Sequence, residues 1–183
     1  MSIRKDVLLI YGISYPAFKK DVRDYLFNLL PEGAFVLDVG AGQGIYGQLL
    51  GRRFRMQAVE IFASAVHHLR KSENYLRVWK GDIRTHDFHR RYDLIILGDI
   101  IEHMTVGDAQ AVVKRCEENA DYVLIAVPYC YKQGALYGND AEIHIQDDLT
   151  PELFDERYPG YTRIFGDSLY GYYIKKTEVK NND

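Results

Sequence analysis

Short apolar runs alternate with amphipathic helical patterns along most of this chain. Runs that are apolar at nearly every position, such as LIIL and VLIAV, predict parallel strands covered by helices on both faces. The predicted strands are Ala34–Val39, Arg55–Glu60, Leu76–Lys80, Tyr92–Gly98 and Tyr122–Val127. Apolar residues at helical spacing predict helices at Pro16–Leu30, Tyr46–Leu50, Ala63–Lys71 and Thr105–Asn119. This alternation predicts a doubly wound α/β fold.

The C-terminal part departs from the alternation. Thr150 as N-cap and Pro151 at the first helical position predict one more helix. Two strand-like runs follow, Tyr161–Phe165 and Leu169–Lys175, with only the residues GDS between them. So short a connection forms a hairpin and cannot form a parallel crossover. We therefore expect a mostly parallel sheet that ends in an antiparallel hairpin.

Composition narrows the class of protein. The net charge of −3 and the pI near 6.1 argue against a nucleic-acid partner, because phosphate contacts need a basic surface. The longest apolar run near the N-terminus, Val7–Ile10, is too short for a signal peptide or a membrane span. Cys116 and Cys130 form no disulfide framework or metal motif. We expect a soluble cytoplasmic protein with no membrane partner.

A glycine-rich loop follows the first predicted strand, in FVLDVGAGQGIYG. Gly42, Gly44 and Gly47 satisfy the dinucleotide pattern G-x-G-x-x-G, and Glu60 follows at a suitable distance. S-adenosylmethionine is the competing ligand. Asp38 lies just before the loop, where a carboxylate would repel a pyrophosphate and attract an ammonium group. At ~4 Å that difference amounts to several kcal/mol, so Asp38 favours S-adenosylmethionine.

From about Phe35 to Lys175 the chain resembles the class I S-adenosylmethionine-dependent methyltransferases. Four motifs in order carry the resemblance: VLDVGAGQG, AVEIF, KGDI and YDLIILGDIIEHM. Within that family, GDIIEH is similar to the small-molecule branch, which includes ubiquinone-pathway O-methyltransferases and glycan-cluster methyltransferases. The resemblance implies a seven-stranded sheet whose last strand is antiparallel. It also implies S-adenosylmethionine as the cofactor.

The resemblance further implies a set of cofactor-binding residues. Glu60 would accept both ribose hydroxyls and Asp82 the adenine amino group, while Ile61 and Ile83 would sandwich the adenine ring. Gly98 and Asp99 would lie beside the methionine moiety. The full predicted set is Asp38, Gly40, Gly42, Gly44, Glu60, Ile61, Asp82, Ile83, Gly98 and Asp99.

The turn after the fourth predicted strand has other interpretations. Asp99 and Glu102 could instead be a helix N-cap and its reciprocal partner, a variant of the capping box. In the ubiquinone-type branch this stretch can hold a divalent cation. However, Asp99, Glu102 and His103 on a single turn make a thin metal site, so we predict no tightly bound metal.

Two segments outside the sheet are expected to select the acceptor: Tyr11–Phe18 and the long connection Tyr129–Thr150. In the connection, Glu142, His144 and Gln146 alternate with isoleucines, which predicts a short extended piece with one polar face. The stretch YGNDAEIH is similar to glycan-associated family members, which often carry an Asn and a downstream His there. The tryptophan that often follows the His is missing.

The catalytic base is predicted among the histidines. His144, on the polar face of the connection, is the first candidate for the proton acceptor, and His103 is its main competitor. The alternative is that His144 is a surface histidine on an exposed strand.

Together these features predict one methyltransferase domain over residues 1–183. We expect an N-terminal helical segment (1–33), a cofactor-binding core (34–128), a substrate-side connection (129–150) and a final helix and hairpin (151–175). The expected reaction is O-methylation, less readily N-methylation, of a small molecule or glycan. The alternatives are a nicotinamide-dependent oxidoreductase and a non-catalytic adenosyl-binding partner subunit.

Overall fold

The computed structural model describes residues 15, 17–135 and 140–178. Within them the chain forms seven strands and five α-helices. The strands are β1 Phe35–Val39, β2 Arg55–Glu60, β3 Arg77–Lys80, β4 Tyr92–Gly98, β5 Ala120–Pro128, β6 Thr162–Gly166 and β7 Tyr170–Lys176. The helices are α1 Lys19–Leu29, α2 Ile45–Leu50, α3 Ala63–Lys71, α4 Val106–Glu118 and α5 Pro151–Arg157.

The strands form one sheet in the order β3-β2-β1-β4-β5-β7-β6. Strands β1 to β5 pair in parallel, and β7 is antiparallel to both of its neighbours, β5 and β6. The predicted mostly parallel, seven-stranded sheet with a terminal antiparallel hairpin is confirmed. This topology is the one that the resemblance implies.

Each face of the sheet is covered by its own apolar cluster. Alternate residues of β1 point to opposite faces, so Val36 joins one cluster and Leu37 the other. Helices α1, α2 and α3 cover the first face, and α4 and α5 cover the second. A fully buried leucine contributes ~1.5–3 kcal/mol, so both layers hold the sheet in place. The carboxyl ends of the parallel strands remain accessible for a site.

Most predicted boundaries lie within two residues of the observed ones. Helix α1 begins at Lys19, and the predicted start, Pro16, lies outside the described residues. The hairpin strands each begin one residue later than predicted. The side chain of Asp167 accounts for the later start of β7, because it accepts hydrogen bonds from the backbone N–H groups of Leu169 and Tyr170 and so fixes the turn. No helix in the described part of the chain combines the length and apolarity that a membrane crossing requires.

The predicted extended piece in the long connection is wrong in conformation. The 3-10 helix Asp140–Glu142 includes its first residue, and residues 143–146 form no strand. The polar face itself exists and points inward: Glu142 and Gln146 are buried, whereas Ile145 is 54% exposed. The backbone N–H groups of Ile145 and Gln146 donate to the carbonyl oxygen of Glu102, which holds the connection against the turn after β4.

Candidate functional site

The carboxyl ends of β1, β2, β3 and β4 open onto one cavity of about 990 Å³. Asp38 of β1, Glu60 of β2, Asp82 after β3 and Asp99 after β4 all line it. Their convergence was predicted, because ligands of open α/β sheets bind outside the carboxyl ends of the strands. The cavity is large enough for a cofactor and a small acceptor together.

The glycine loop contributes two of its glycines to the cavity wall. Gly40 and Gly42 line the cavity, whereas Gly44, also predicted to contact the cofactor, does not line it. Gly44 precedes α2 with φ +77°, and an added Cβ there would lie 2.8 Å from the side chain of Leu69. Gly44 therefore serves the turn into the helix and its packing on α3.

Asp38 is almost completely enclosed, with 1% of its surface exposed. The hydroxyl of Tyr75 donates to its Oδ2 at 2.6 Å and itself accepts from the backbone N–H of Gly47 at 3.0 Å. Burial raises the pKa of Asp38 to about 7, although the Tyr75 hydrogen bond and the charge of Lys19 oppose that rise. Tyr75 was missed from the sequence, since its position just before β3 carries no motif.

A buried lysine interacts electrostatically with Asp38 of β1 and with Asp99, which follows β4. Lys19 of α1 donates to the hydroxyl of Tyr46 at 3.0 Å and lies 4.2 Å above that ring. Burial lowers the pKa of Lys19, while the charges of Asp99 and Asp38 act in the opposite direction. The same Tyr46 ring packs on Gly98, where an added Cβ would lie 2.6 Å from it. Neither Lys19 nor Tyr46 was among the predicted site residues.

Glu60 is buried, and its carboxylate accepts hydrogen bonds from two backbone N–H groups. Its Oε1 accepts from Phe62 at 2.8 Å and its Oε2 from Gly42 at 2.9 Å. Burial raises the pKa of Glu60, and these hydrogen bonds moderate the rise. The carboxylate thereby ties the glycine loop to the end of β2. It retains lone pairs for further donors, because a carboxylate has about four acceptor positions.

Asp82 forms an ion pair that the sequence analysis did not predict. The guanidinium of Arg84 donates to both of its oxygens, at 2.6–3.1 Å. This hydrogen-bonded ion pair lowers the pKa of Asp82. Ile61, 42% exposed, follows Glu60, and the buried Ile83 follows Asp82; both isoleucines line the cavity.

At the other end of the cavity, Asp99 adopts the left-handed conformation, with φ 55°. Its Oδ1 accepts from the hydroxyl of Tyr170 at 2.6 Å. The capping alternative for Asp99 and Glu102 is wrong: the 3-10 helix Ile101–His103 has no side-chain cap. Thr105 is the N-cap of α4 instead, and it accepts from the backbone N–H of Asp108 at 3.2 Å. Neither acid therefore caps this 3-10 helix.

His103 and His144 meet beside these acids, with ring centroids 4.7 Å apart. Both line the cavity and both are partly buried, so the alternative of a surface histidine on an exposed strand is wrong. Burial, and then the neighbouring His144, lowers the pKa of His103 to about 4, and burial also lowers the pKa of His144. Both imidazoles are neutral near pH 7. The other histidines of the chain do not line the cavity.

Aromatic side chains border the histidine end. Tyr15 stacks on Tyr170 with ring centroids 5.1 Å apart, and Tyr131 is exposed at the rim. Tyr129 is buried, and its hydroxyl pairs with that of Tyr173. Other parts of the predicted acceptor region, residues 136–139 in the connection and all of Tyr11–Phe18 except Tyr15, Ala17 and Phe18, lie outside the described residues.

Comparison with known proteins agrees with this geometry. Residues 36–120 match the family model described as a methyltransferase domain. No protein of curated function is detectably similar in sequence.

Several solved structures share the fold at low identity. A TehB-like SAM-dependent methyltransferase from Corynebacterium glutamicum is 13% identical with a TM-score of 0.62, covering 85% of this chain and 86% of that one. An S-adenosylmethionine-dependent methyltransferase from Clostridium acetobutylicum is 14% identical with a TM-score of 0.66, covering 86% and 89%. A SAM-bound amino pentose methyltransferase from Micromonospora echinaspora is 16% identical with a TM-score of 0.63, also covering 86% and 89%.

Proposed function

We propose that this protein is a class I methyltransferase that uses S-adenosylmethionine as its methyl donor and methylates a hydroxyl group of a small molecule or a sugar. One observation carries the proposal. A single cavity is lined by the glycine loop with the acids at the ends of β1, β2 and β3, and, on the β4 side of the sheet order, by the His103–His144 pair. We call the first group of residues the donor end, which suits the donor, and the second the acceptor end, which suits an acceptor.

The donor end matches the charges of S-adenosylmethionine, which has an ammonium group, a sulfonium and no phosphate. Asp38 would attract the ammonium, and the free lone pairs of Glu60 would accept the ribose hydroxyls. Asp82 would receive the adenine amino group, with the ring between Ile61 and Ile83. A dinucleotide would instead bring its pyrophosphate close to Asp38. That repulsion argues against the oxidoreductase alternative.

The acceptor end would supply position and a proton acceptor. The hydroxyl oxygen attacks the methyl carbon in line, the carbon–sulfur bond breaks, and its electron pair stays on sulfur as S-adenosylhomocysteine. The acceptor's proton passes to a neutral imidazole, which we assign to His144, with His103 as the competitor. Tyr15, Tyr131 and Tyr170 offer flat apolar surfaces on which a sugar or an aromatic ring could rest. The fold neighbour that acts on an amino pentose is consistent with a sugar acceptor.

Calorimetry tests the donor assignment. S-adenosylhomocysteine should bind in the micromolar range, and NADH and NADPH should not bind. Glu60→Ala should weaken the binding by at least ~1.5 kcal/mol, or about tenfold, because hydrogen bonds to a charged group are lost. Tight binding of NADH would refute the proposal. Cofactor binding without turnover of any acceptor would instead favour the adenosyl-binding partner subunit.

Kinetics test the base once a panel of sugars and small alcohols has given an acceptor. His144→Ala should lower kcat by roughly 10²-fold and leave the affinity for S-adenosylhomocysteine nearly unchanged. His67→Ala is the matched control, since His67 is exposed on α3 and lies outside the cavity. If His103→Ala lowers turnover and His144→Ala does not, the base is His103.

A further inference from the structure

Exposed apolar side chains are concentrated at the cavity. In the described part of the chain five large apolar side chains are exposed, and three of them line the cavity: Ile61, Tyr131 and Leu169. Single exposed apolar residues are normal on a protein surface and need no explanation. Several on one cavity are different, because apolar side chains around a cavity are typical of a ligand site. Ile61 would contact the adenine ring, which leaves Tyr131 and Leu169 without an assigned ligand.

Tyr131 and Leu169 reach the acceptor end from two parts of the chain. Tyr131, 55% exposed, lies in the long connection, and its ring centroid is 5.4 Å from that of His144. Leu169, 60% exposed, lies in the turn between β6 and β7. Its carbonyl oxygen accepts from the backbone N–H of Tyr129 at 2.8 Å, which joins the turn to the connection. Tyr15 also lines the cavity. We call Tyr15, Tyr131 and Leu169 the apolar rim.

Asp167 holds two members of the apolar rim in place. Its Oδ1 accepts from the backbone N–H of Leu169 at 2.8 Å, and its Oδ2 accepts from the hydroxyl of Tyr15 at 2.9 Å. The Tyr15 ring stacks on Tyr170, with ring centroids 5.1 Å apart. The hydroxyl of Tyr15 is thus occupied by Asp167, and its ring is fixed beside the cavity. A surface that is ordered before binding loses less conformational entropy when a ligand arrives.

We propose that the apolar rim binds an apolar group that the acceptor carries beside its reacting hydroxyl. This inference rests on the proposed function and names the class of acceptor: an alcohol or glycoside with an alkyl or aryl substituent, and not a free sugar. The side chain of Leu169 offers no hydrogen bond to the hydroxyls of a free sugar. An apolar substituent instead removes both its own surface and that of Leu169 from water, which is favourable.

The position of the apolar rim also orients the acceptor. Its members line the cavity, and Tyr131 and Leu169 are exposed to solvent as well. The apolar substituent therefore lies at the cavity mouth, and the reacting hydroxyl points inward to the histidine pair. In this position the substituent separates the histidines from bulk water. Exclusion of water strengthens the electrostatic interactions inside an active site.

The test measures binding by calorimetry and does not depend on turnover. Full-length protein saturated with S-adenosylhomocysteine is titrated with methyl β-D-glucoside and with hexyl β-D-glucoside, which differ only in the length of the alkyl group. Each buried methylene raises affinity about fourfold, so the hexyl compound should bind at least ~30-fold more tightly even if half of its added chain is covered.

Variants of the apolar rim locate the effect. Leu169→Ser and Tyr131→Ser should each weaken the binding of hexyl β-D-glucoside by at least ~5-fold and leave the affinity for S-adenosylhomocysteine unchanged. Leu76→Ser is the matched control, since Leu76 is a leucine 67% exposed just before β3 and outside the cavity. The three substituted side chains are exposed, so thermal melting should show that every variant folds.

No detectable binding of hexyl β-D-glucoside, equal affinities for the two glucosides, or a hexyl β-D-glucoside affinity that both rim variants leave unchanged would overturn the proposal. Tight binding of the hexyl compound without methyl transfer to any acceptor would count against the proposed function and leave the apolar rim standing. Methyl transfer to a free sugar with the same kcat/KM in the wild type and in Leu169→Ser would leave the proposed function standing and remove the role of the rim.

Discussion

The hydrogen bond from Tyr75 to Asp38 should control how tightly the cofactor binds near neutral pH. Tyr75→Phe removes one hydroxyl whose oxygen lies 2.6 Å from Oδ2 of Asp38 and leaves the ring packing in place. Asp38 is buried, its pKa is about 7, and the Tyr75 hydrogen bond is the largest influence that lowers it. Lys19 lowers it further and Glu60 raises it, and the substitution alters neither residue.

The size of the effect follows from the hydrogen bond. A hydrogen bond to a charged group contributes ~1.5–3 kcal/mol, which corresponds to about 1–2 pKa units. Starting from a pKa of about 7, the ionised fraction of Asp38 at pH 7 would fall from about one half to ~1–10%. If the ammonium group requires the carboxylate, affinity at pH 7 falls ~5–50-fold. At pH 9 most of this loss disappears, because the carboxyl is at least about half ionised in both proteins.

Calorimetric titration with S-adenosylhomocysteine at pH 7 and at pH 9 measures the loss of affinity that Tyr75→Phe causes. The ratio of the wild-type and variant dissociation constants cancels the titration of the ligand itself. The matched control is Tyr92→Phe, since the hydroxyl of Tyr92 donates to Gln57 at 2.9 Å away from the cavity. The reasoning is refuted if the Tyr75→Phe ratio is the same at both pH values, or if the affinity does not change at either.

Two further predictions concern stability. The folded pKa of Asp38 is raised by burial, so the stability it contributes is present below pH ~4 and is lost as pH rises through about 7. Ligand-free Asp38→Asn should therefore gain about 2–3 kcal/mol on the wild type between pH 5 and pH 8 in urea unfolding, and a constant gap would contradict this. Gly47→Ala, although it lies inside α2, should destabilise the protein by at least ~1 kcal/mol, because the new methyl group collides with the Tyr75 ring. A rise in Tm would show that the ring moves aside.

The sheet could be predicted from sequence because its strands are buried on both faces. Continuous apolar runs such as Leu94–Leu97 mark them without ambiguity, and the predicted bounds of α3 match the observed ones. The short link before β7 fixed the antiparallel end. Errors appeared where one side chain decides the boundary, as Asp167 does in the hairpin turn.

The strand-end acids could also be predicted, because topology alone brings the carboxyl ends of neighbouring parallel strands together. The side chains that contact these acids could not be predicted. Tyr75 is 37 positions from Asp38, and Lys19 is 27 positions from Tyr46. Such contacts depend on how helices and loops pack across a face, and no local periodicity encodes that. Arg84, two residues after Asp82, was the exception that a search for neighbouring opposite charges would have found.

The acceptor end shows why a polar face can be assigned correctly and oriented wrongly. Alternation in the long connection predicts that Glu142, His144 and Gln146 share a side, and solvent is the usual partner of such a side. Here the partners are other parts of the protein: the amide of Gln146 donates to the carbonyl oxygens of Ile101 and Met104. Those carbonyls belong to the turn after β4, which needs donors because it is buried and irregular. Meeting that need draws His144 against His103, and the isoleucine between the polar residues is left facing water.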